Sequence, residues 1–128
     1  MMHEQPSILV VDDELLIRDL LYDFFAGQGW QIAIADTGEK ALGILKEKEI
    51  DLVLTDLRMP QMDGLDLARL VREEHPDMPV VIMTGFPSVE SAVAALRSKI
   101  SDYVTKPFNI NELFRIIKSH IDKDVPQQ

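Results

Sequence analysis

Five side chains suited to metal or phosphoryl chemistry stand directly behind short apolar runs of this sequence: Asp12, Asp13, Asp56, Thr84 and Lys106. If those runs are parallel strands of one sheet, all five reach the same edge, because ligand sites in open parallel α/β sheets lie beyond the carboxyl ends of the strands. Three carboxylates converging there would repel one another and raise one another's pKa values. A divalent cation relieves that repulsion, and hard oxygen donors with room for water suit Mg²⁺. Such an ion presents itself to phosphate oxygens. Asp56 could then be a nucleophile toward a phosphoryl group, with Thr84 and Lys106 donating to the transferred oxygens.

Each of these residues also has a plainer reading. Asp12-Asp13-Glu14 ahead of a helix is the composition of an N-terminal cap and a dipole partner. Asp56 at a strand end can be a turn former, Thr84 can bond its own backbone, and Lys106 can be solvated beside a helix-entry turn at Pro107. The chemical reading draws its weight from all of them falling at one edge in order.

The positioning elements are read from periodicity. Ile8–Val11 is a short β-branched run ending at acids, as in a buried parallel strand. From Leu15 to Phe25 the apolar residues Ile17, Leu20, Leu21, Phe24 and Phe25 recur at helical spacing, and Gly27 and Gly29 end the helix. Gln31–Ala35 reads as a second strand. Asp36-Thr-Gly-Glu39 has the spacing of a capping box with Asp36 as N-cap. Leu52–Thr55 is a third strand, followed by Asp56, a turn over Pro60–Gly64 and a helix carrying Leu65, Ala68, Leu70 and Val71. Val80–Met83 is a fourth strand, and Ser88 caps the next helix. Tyr103–Thr105 is a fifth, and Asn109-Ile-Asn-Glu112 opens a last helix to about Ile121. Five strands alternating with five helices predict an α/β, three-layer, doubly wound fold.

The 128 residues fit one domain, expected over 1–124, with 125–128 as a tail or the start of a linker. With no cysteine, disulfides, thiolate metal sites and cysteine nucleophiles are excluded, and a reducing cytoplasmic location is expected. Met1–Ser7 lacks a basic stretch followed by an apolar one, so no signal peptide is expected, and no apolar run approaches a membrane span. A net charge of −9 disfavours direct nucleic-acid binding. His3, His75 and His120 follow no strand and are expected at the surface. Trp30 and the Phe24-Phe25 pair are expected in the core.

With these residues assembled, the chain closely resembles the response-regulator receiver family of two-component signalling, in the manner of the chemotaxis regulators. The matching phrases are Ile8-Leu-Val-Val-Asp-Asp-Glu14, Asp51-Leu-Val-Leu-Thr-Asp-Leu-Arg-Met-Pro60, Met62-Asp-Gly64, Val81-Ile-Met-Thr-Gly85 and Asp102-Tyr-Val-Thr-Lys-Pro-Phe108. They occur in family order over roughly residues 7 to 122 and are jointly specific. The resemblance implies a flavodoxin-like strand order of 2-1-3-4-5, an order for which a receiver is a standard example. It implies that Asp56 accepts phosphate from a phosphohistidine of a histidine kinase or histidine phosphotransfer protein. It implies a Mg²⁺ ion on Asp13, Asp56 and the backbone carbonyl of Arg58, with Asp12 acting mostly through water. Thr84 and Tyr103 would be the switch pair, Lys106 the phosphate partner, and the Lys106-Pro107 bond cis.

The same resemblance implies a signalling role rather than an enzyme's: the domain catalyses only its own phosphorylation and dephosphorylation. It also implies a downstream effector or output domain, and a possible homodimer through the fourth helix, fifth strand and fifth helix. Lys99 and Ile100 depart from the family, which usually has a small pair there, often Gly-Ala. Arg58 and Phe86 flank the route of a hydrolytic water and are expected to shield the acyl phosphate. A haloacid-dehalogenase-type phosphatase would need an Asp-x-Asp run after the first strand. A flavodoxin-type FMN binder would need a Ser/Thr/Gly-rich cradle there. The chain has Asp12-Asp13-Glu14 instead.

Overall fold

The computed structural model describes residues 5–122. His3, the expected tail and the expected domain end at 124 lie outside the described residues. The elements alternate without exception: β1 (Ser7–Val11), α1 (Leu15–Gly27), β2 (Gln31–Ala35), α2 (Gly38–Glu47), β3 (Leu52–Asp56), α3 (Gly64–Glu74), β4 (Val80–Thr84), α4 (Val89–Arg97), β5 (Asp102–Thr105) and α5 (Ile110–Ile121). The sheet has the order β2-β1-β3-β4-β5, and every neighbouring pair is parallel. This is the flavodoxin-like, doubly wound arrangement that the alternation and the resemblance imply.

The burial pattern follows from sheet position. The three inner strands are buried along their whole length, which is why they read as continuous apolar runs. The edge strands β2 and β5 are largely half-buried or exposed. Alternate residues feed two cores. Leu9, Val11, Val53 and Ile82 meet Ala41 and Leu45 of α2 and Leu67, Ala68 and Val71 of α3. Ile8, Val10, Leu52, Leu54, Val81 and Met83 meet Leu21 and Phe25 of α1 and Leu113 and Ile117 of α5. Each fully buried aliphatic chain contributes about 1.5–3 kcal/mol. On the second side Phe24, Phe25, Trp30 and Phe114 form a ring cluster with centroids 5.0–5.8 Å apart, in the core as expected. By contrast α4 buries one residue, Ala95, and leaves Val89, Val93 and Leu96 exposed.

Helix starts explain the loop geometry. Ser88 caps α4 in a reciprocal box with Ser91, and Asn109 caps α5 by accepting from the N–H groups of Asn111 and Glu112. The reading of Asp36 as a cap is corrected: Thr37 is the N-cap of α2 and accepts from the Lys40 N–H at 3.1 Å. That shift of one position takes Glu39 out of the box, and Asp36 instead pairs with Lys40 at 3.0 Å. Helix α3 opens on a box between Asp63 and Asp66, which the turn reading of Pro60–Gly64 passed over.

The departure at Lys99 has a backbone consequence. Lys99 follows the end of α4 with φ 59°, in the left-handed region where a β-carbon is strained and glycine is not. Ile100, beside it, is half-buried against the α2/α3 core. Lys99→Gly is expected to stabilise the chain by about 0.5–1 kcal/mol, after allowing for the added freedom of the unfolded state. Urea denaturation measures this, and a lower midpoint would contradict it.

Candidate functional site

Strand register brings the polar residues together. Val11 pairs with Thr55, Asp56 with Met83 and Thr84 with Thr105, so the ends of β1, β3, β4 and β5 lie side by side. Asp56 and Thr84 are the last residues of their strands rather than the first of the following loops, which makes their backbones part of the sheet. The Lys106 N–H donates to the Thr84 carbonyl at 2.7 Å and the Leu57 N–H to the Met83 carbonyl at 2.8 Å. The peptide bond between Lys106 and Pro107 is cis.

Gly64 closes the edge from below. Its N–H donates to the Leu57 carbonyl at 2.8 Å. A β-carbon there would stand 2.4 Å from the Asp56 carbonyl oxygen and 3.0 Å from Leu57 Cα. The start of α3 therefore packs directly onto the backbone that carries Asp56.

Asp12, Asp13 and Asp56 each offer a carboxylate oxygen, and these oxygens lie within 4.8 Å of one another. Asp12 is fully buried and Asp56 is 6% exposed, while Asp13 faces solvent. Lys106 Nζ lies 2.8 Å from Asp12 Oδ2, 3.1 Å from Glu14 Oε1 and 3.5 Å from Asp56 Oδ1. Burial, then the Asp12 and Asp13 charges, push the Asp56 carboxyl up to about 6 against the relief from Lys106. Asp12 is also raised, chiefly by burial, although Lys106 and the Glu14 N–H hold it partly down. For Lys106, burial works against the charged form, but its bond to Asp12 and the Asp12 and Asp56 charges outweigh it and leave its pKa raised. The pocket is thus short of positive charge, and its hard, partly solvated oxygens fit a small divalent cation.

Each expected site residue has a definite place. Asp12, Asp13, Asp56 and Lys106 come together as described, and Thr84 is fully buried beside them, its hydroxyl accepting from the Phe86 N–H at 3.1 Å. Arg58 is exposed and lines a groove of about 530 Å³ between the β3–α3 loop and Ser91. Phe86 is 73% exposed. The Tyr103 hydroxyl lies 2.6 Å from Ser91 Oγ. His120 is half-buried, and its Nε2 lies 3.2 Å from Asp102 Oδ2. Two contributors were missed in the sequence. Glu14 reaches Lys106, and Arg18, one turn further, donates to the Asp12 carbonyl at 2.8 Å. The helical spacing from Glu14 to Arg18 was a usable signal for the second, whereas the Glu14–Lys106 contact spans the length of the chain.

A doubly wound sheet of order 2-1-3-4-5 with an acidic cluster at its carboxyl edge is the architecture of a signal receiver. Comparison with known proteins agrees. The model of the response regulator receiver domain matches residues 8–118. The transcriptional regulatory protein ZraR of Klebsiella oxytoca is 42% identical over 110 residues, which are 86% of this chain and 25% of that protein. The CheY-like receiver domain from Methanospirillum hungatei JF-1 superposes with a TM-score of 0.89 at 29% identity, over 94% of this chain and 96% of that one. The beryllofluoride-activated NtrC4 receiver domain dimer gives 0.85 at 30% identity, over 91% and 97%. The chain belongs to the response regulator receiver domain family and is a receiver domain of two-component signalling. It spans about a quarter of the length of curated relatives such as ZraR. Among the described residues, no helix is long and apolar enough to cross a membrane.

Proposed function

We propose that Asp56 accepts a phosphoryl group from a phosphohistidine of a histidine kinase or histidine phosphotransfer protein, with Mg²⁺ held by Asp12, Asp13, Asp56 and the backbone carbonyl of Arg58. The single observation that carries this reading is the convergence of three carboxylates within 4.8 Å, with one ammonium 3.5 Å from Asp56. When bound, the cation neutralises charge on the carboxylates and on the phosphoryl oxygens. Asp56 Oδ attacks phosphorus in line, the phosphorus–nitrogen bond breaks, and its electron pair returns to the donor imidazole. Lys106 and Thr84 donate to the equatorial oxygens, so Lys106 must loosen from Asp12 or Glu14 as the phosphoryl arrives.

The added charge draws Thr84 toward the acceptor, Tyr103 repositions, and the face formed by α4, β5 and α5 changes its preference among partners. Those partners are a downstream effector or output domain, or a second copy meeting that face, a reading supported by the dimer of the similar NtrC4 receiver domain and by the exposed Val89, Val93 and Leu96. The receiver unit is taken to run over 1–124 and to work in the cytoplasm. Its catalysis extends only to its own acyl phosphate, and the acidic surface gives it no direct nucleic-acid role.

Incubation with acetyl phosphate and Mg²⁺ is expected to add the mass of a single phosphoryl group. EDTA or Asp56→Ala should abolish the increment. Its persistence in Asp56→Ala would identify a different acceptor.

A further inference from the structure

The hydroxyl of Ser91 is claimed by more groups than it can serve. A hydroxyl has one proton and two lone pairs. Ser91 Oγ has four polar neighbours: the Ser88 N–H at 3.2 Å, Ser88 Oγ at 3.0 Å, the Ser88 carbonyl at 3.1 Å and the Tyr103 hydroxyl at 2.6 Å. The Tyr103 contact is the shortest. The other half of the capping box is separate from it: Ser88 Oγ accepts from the Ser91 N–H at 3.0 Å. Both Ser91 and Tyr103 are half-buried, so the contact is partly shielded from water. It crosses from the middle of β5 to the first turn of a helix that buries only Ala95.

We propose that Ser91 is a positioning residue for Tyr103: its hydroxyl ties the ring to the capping box of α4, so that ring position and cap strength are read by one group. A movement of Tyr103 away from Ser91 then changes the first turn of α4 directly, through the lone pair and proton it releases, rather than through general repacking. The tie itself stands on the geometry above; its use in signalling rests on the reading of Tyr103 as a switch residue.

A double-mutant cycle on the full, unphosphorylated chain tests it by hydrogen exchange of the Ser91, Ala92 and Val93 amides. Tyr103→Phe is expected to speed their exchange about 5-fold where Ser91 is present, the range of one net hydrogen bond. In the Ser91→Ala background the same change should have less than about a 2-fold effect. Ser91→Thr, which keeps the hydroxyl, should restore the response. Ser88→Ala weakens the cap without removing the Tyr103 partner, so the response to Tyr103→Phe should survive there. An equal response in the Ser91 and Ser91→Ala backgrounds, or none in either, would overturn the proposal. No phosphoryl donor is present, so this failure is distinct from a failure of Asp56 as the acceptor.

Discussion

Asp56→Asn is expected to stabilise the metal-free chain at pH 7 by about 2 kcal/mol while removing the proposed phosphoryl acceptor. The folded carboxyl titrates near 6 against an ordinary 3.8, so the folded state binds this proton more tightly than the unfolded state does. Stability from this group therefore falls as pH rises from 3.8 to about 6 and stays low above that. The gap corresponds to about 3 kcal/mol at 1.36 kcal/mol per pH unit, and an amide that fits the pocket imperfectly recovers about two-thirds of it. Urea denaturation in EDTA should show the variant's advantage at pH 7 shrinking to under about 1 kcal/mol at pH 4, where folded Asp56 is already protonated. Saturating Mg²⁺ should erase or reverse it, because the ion supports the wild-type carboxylate and loses a ligand in the variant. A variant no more stable than wild type at pH 7 without metal would mean that burial and the neighbouring carboxylates do not penalise the Asp56 charge as described.

Gly64→Ala is expected to cost about 3 kcal/mol or more and to impair the proposed acceptor function of Asp56 with it. The new methyl would meet the Asp56 carbonyl oxygen at 2.4 Å, Leu57 Cα at 3.0 Å and Ile82 Cδ1 at 3.1 Å. Two of those three are backbone at and just past the end of β3, the central strand, so relief requires moving α3 or the strand end. Gly38 is the internal control. The three atoms nearest a methyl there all belong to the Met62 side chain, which is flexible and can shift, so Gly38→Ala should cost less than Gly64→Ala, under about 1.5 kcal/mol. Denaturation midpoints separate the two, and acetyl phosphate labelling shows whether the Gly64 variant also loses reactivity. Equal, small costs at both positions would refute the close packing of α3 on the backbone of Asp56.

The fold was legible because its constraints are local and periodic. Inner strands such as Leu52–Asp56 are buried on both faces and read as unbroken apolar runs, while helices such as α5 place Leu113 and Ile117 four residues apart. Gathering of the carboxylates with Lys106 was legible too, because parallel strands bring their carboxyl ends to one edge. What was not legible depends on single backbone angles and long-range side-chain choices. The cap of α2 moved from Asp36 to Thr37 because both residue types cap well and only the chain's exit angle decides. The split between buried Asp12 and exposed Asp13 arises past the end of β1, where strand alternation no longer sets the faces. Nor could spacing show that Ser91 would meet Tyr103, or His120 meet Asp102, since neither pair belongs to one element.

The single buried residue of α4 sets how sensitive the molecule is to small forces. A helix held by several buried leucines would ignore one hydrogen bond, because its position is decided by contributions many times larger. With Ala95 as its only buried anchor, α4 sits in a shallow well, and an interaction of about 1 kcal/mol is a sizeable fraction of what holds it. Under the proposed function, weak anchoring is thus a form of gain, by which a change of charge at one carboxylate emerges as a displacement of a whole helix.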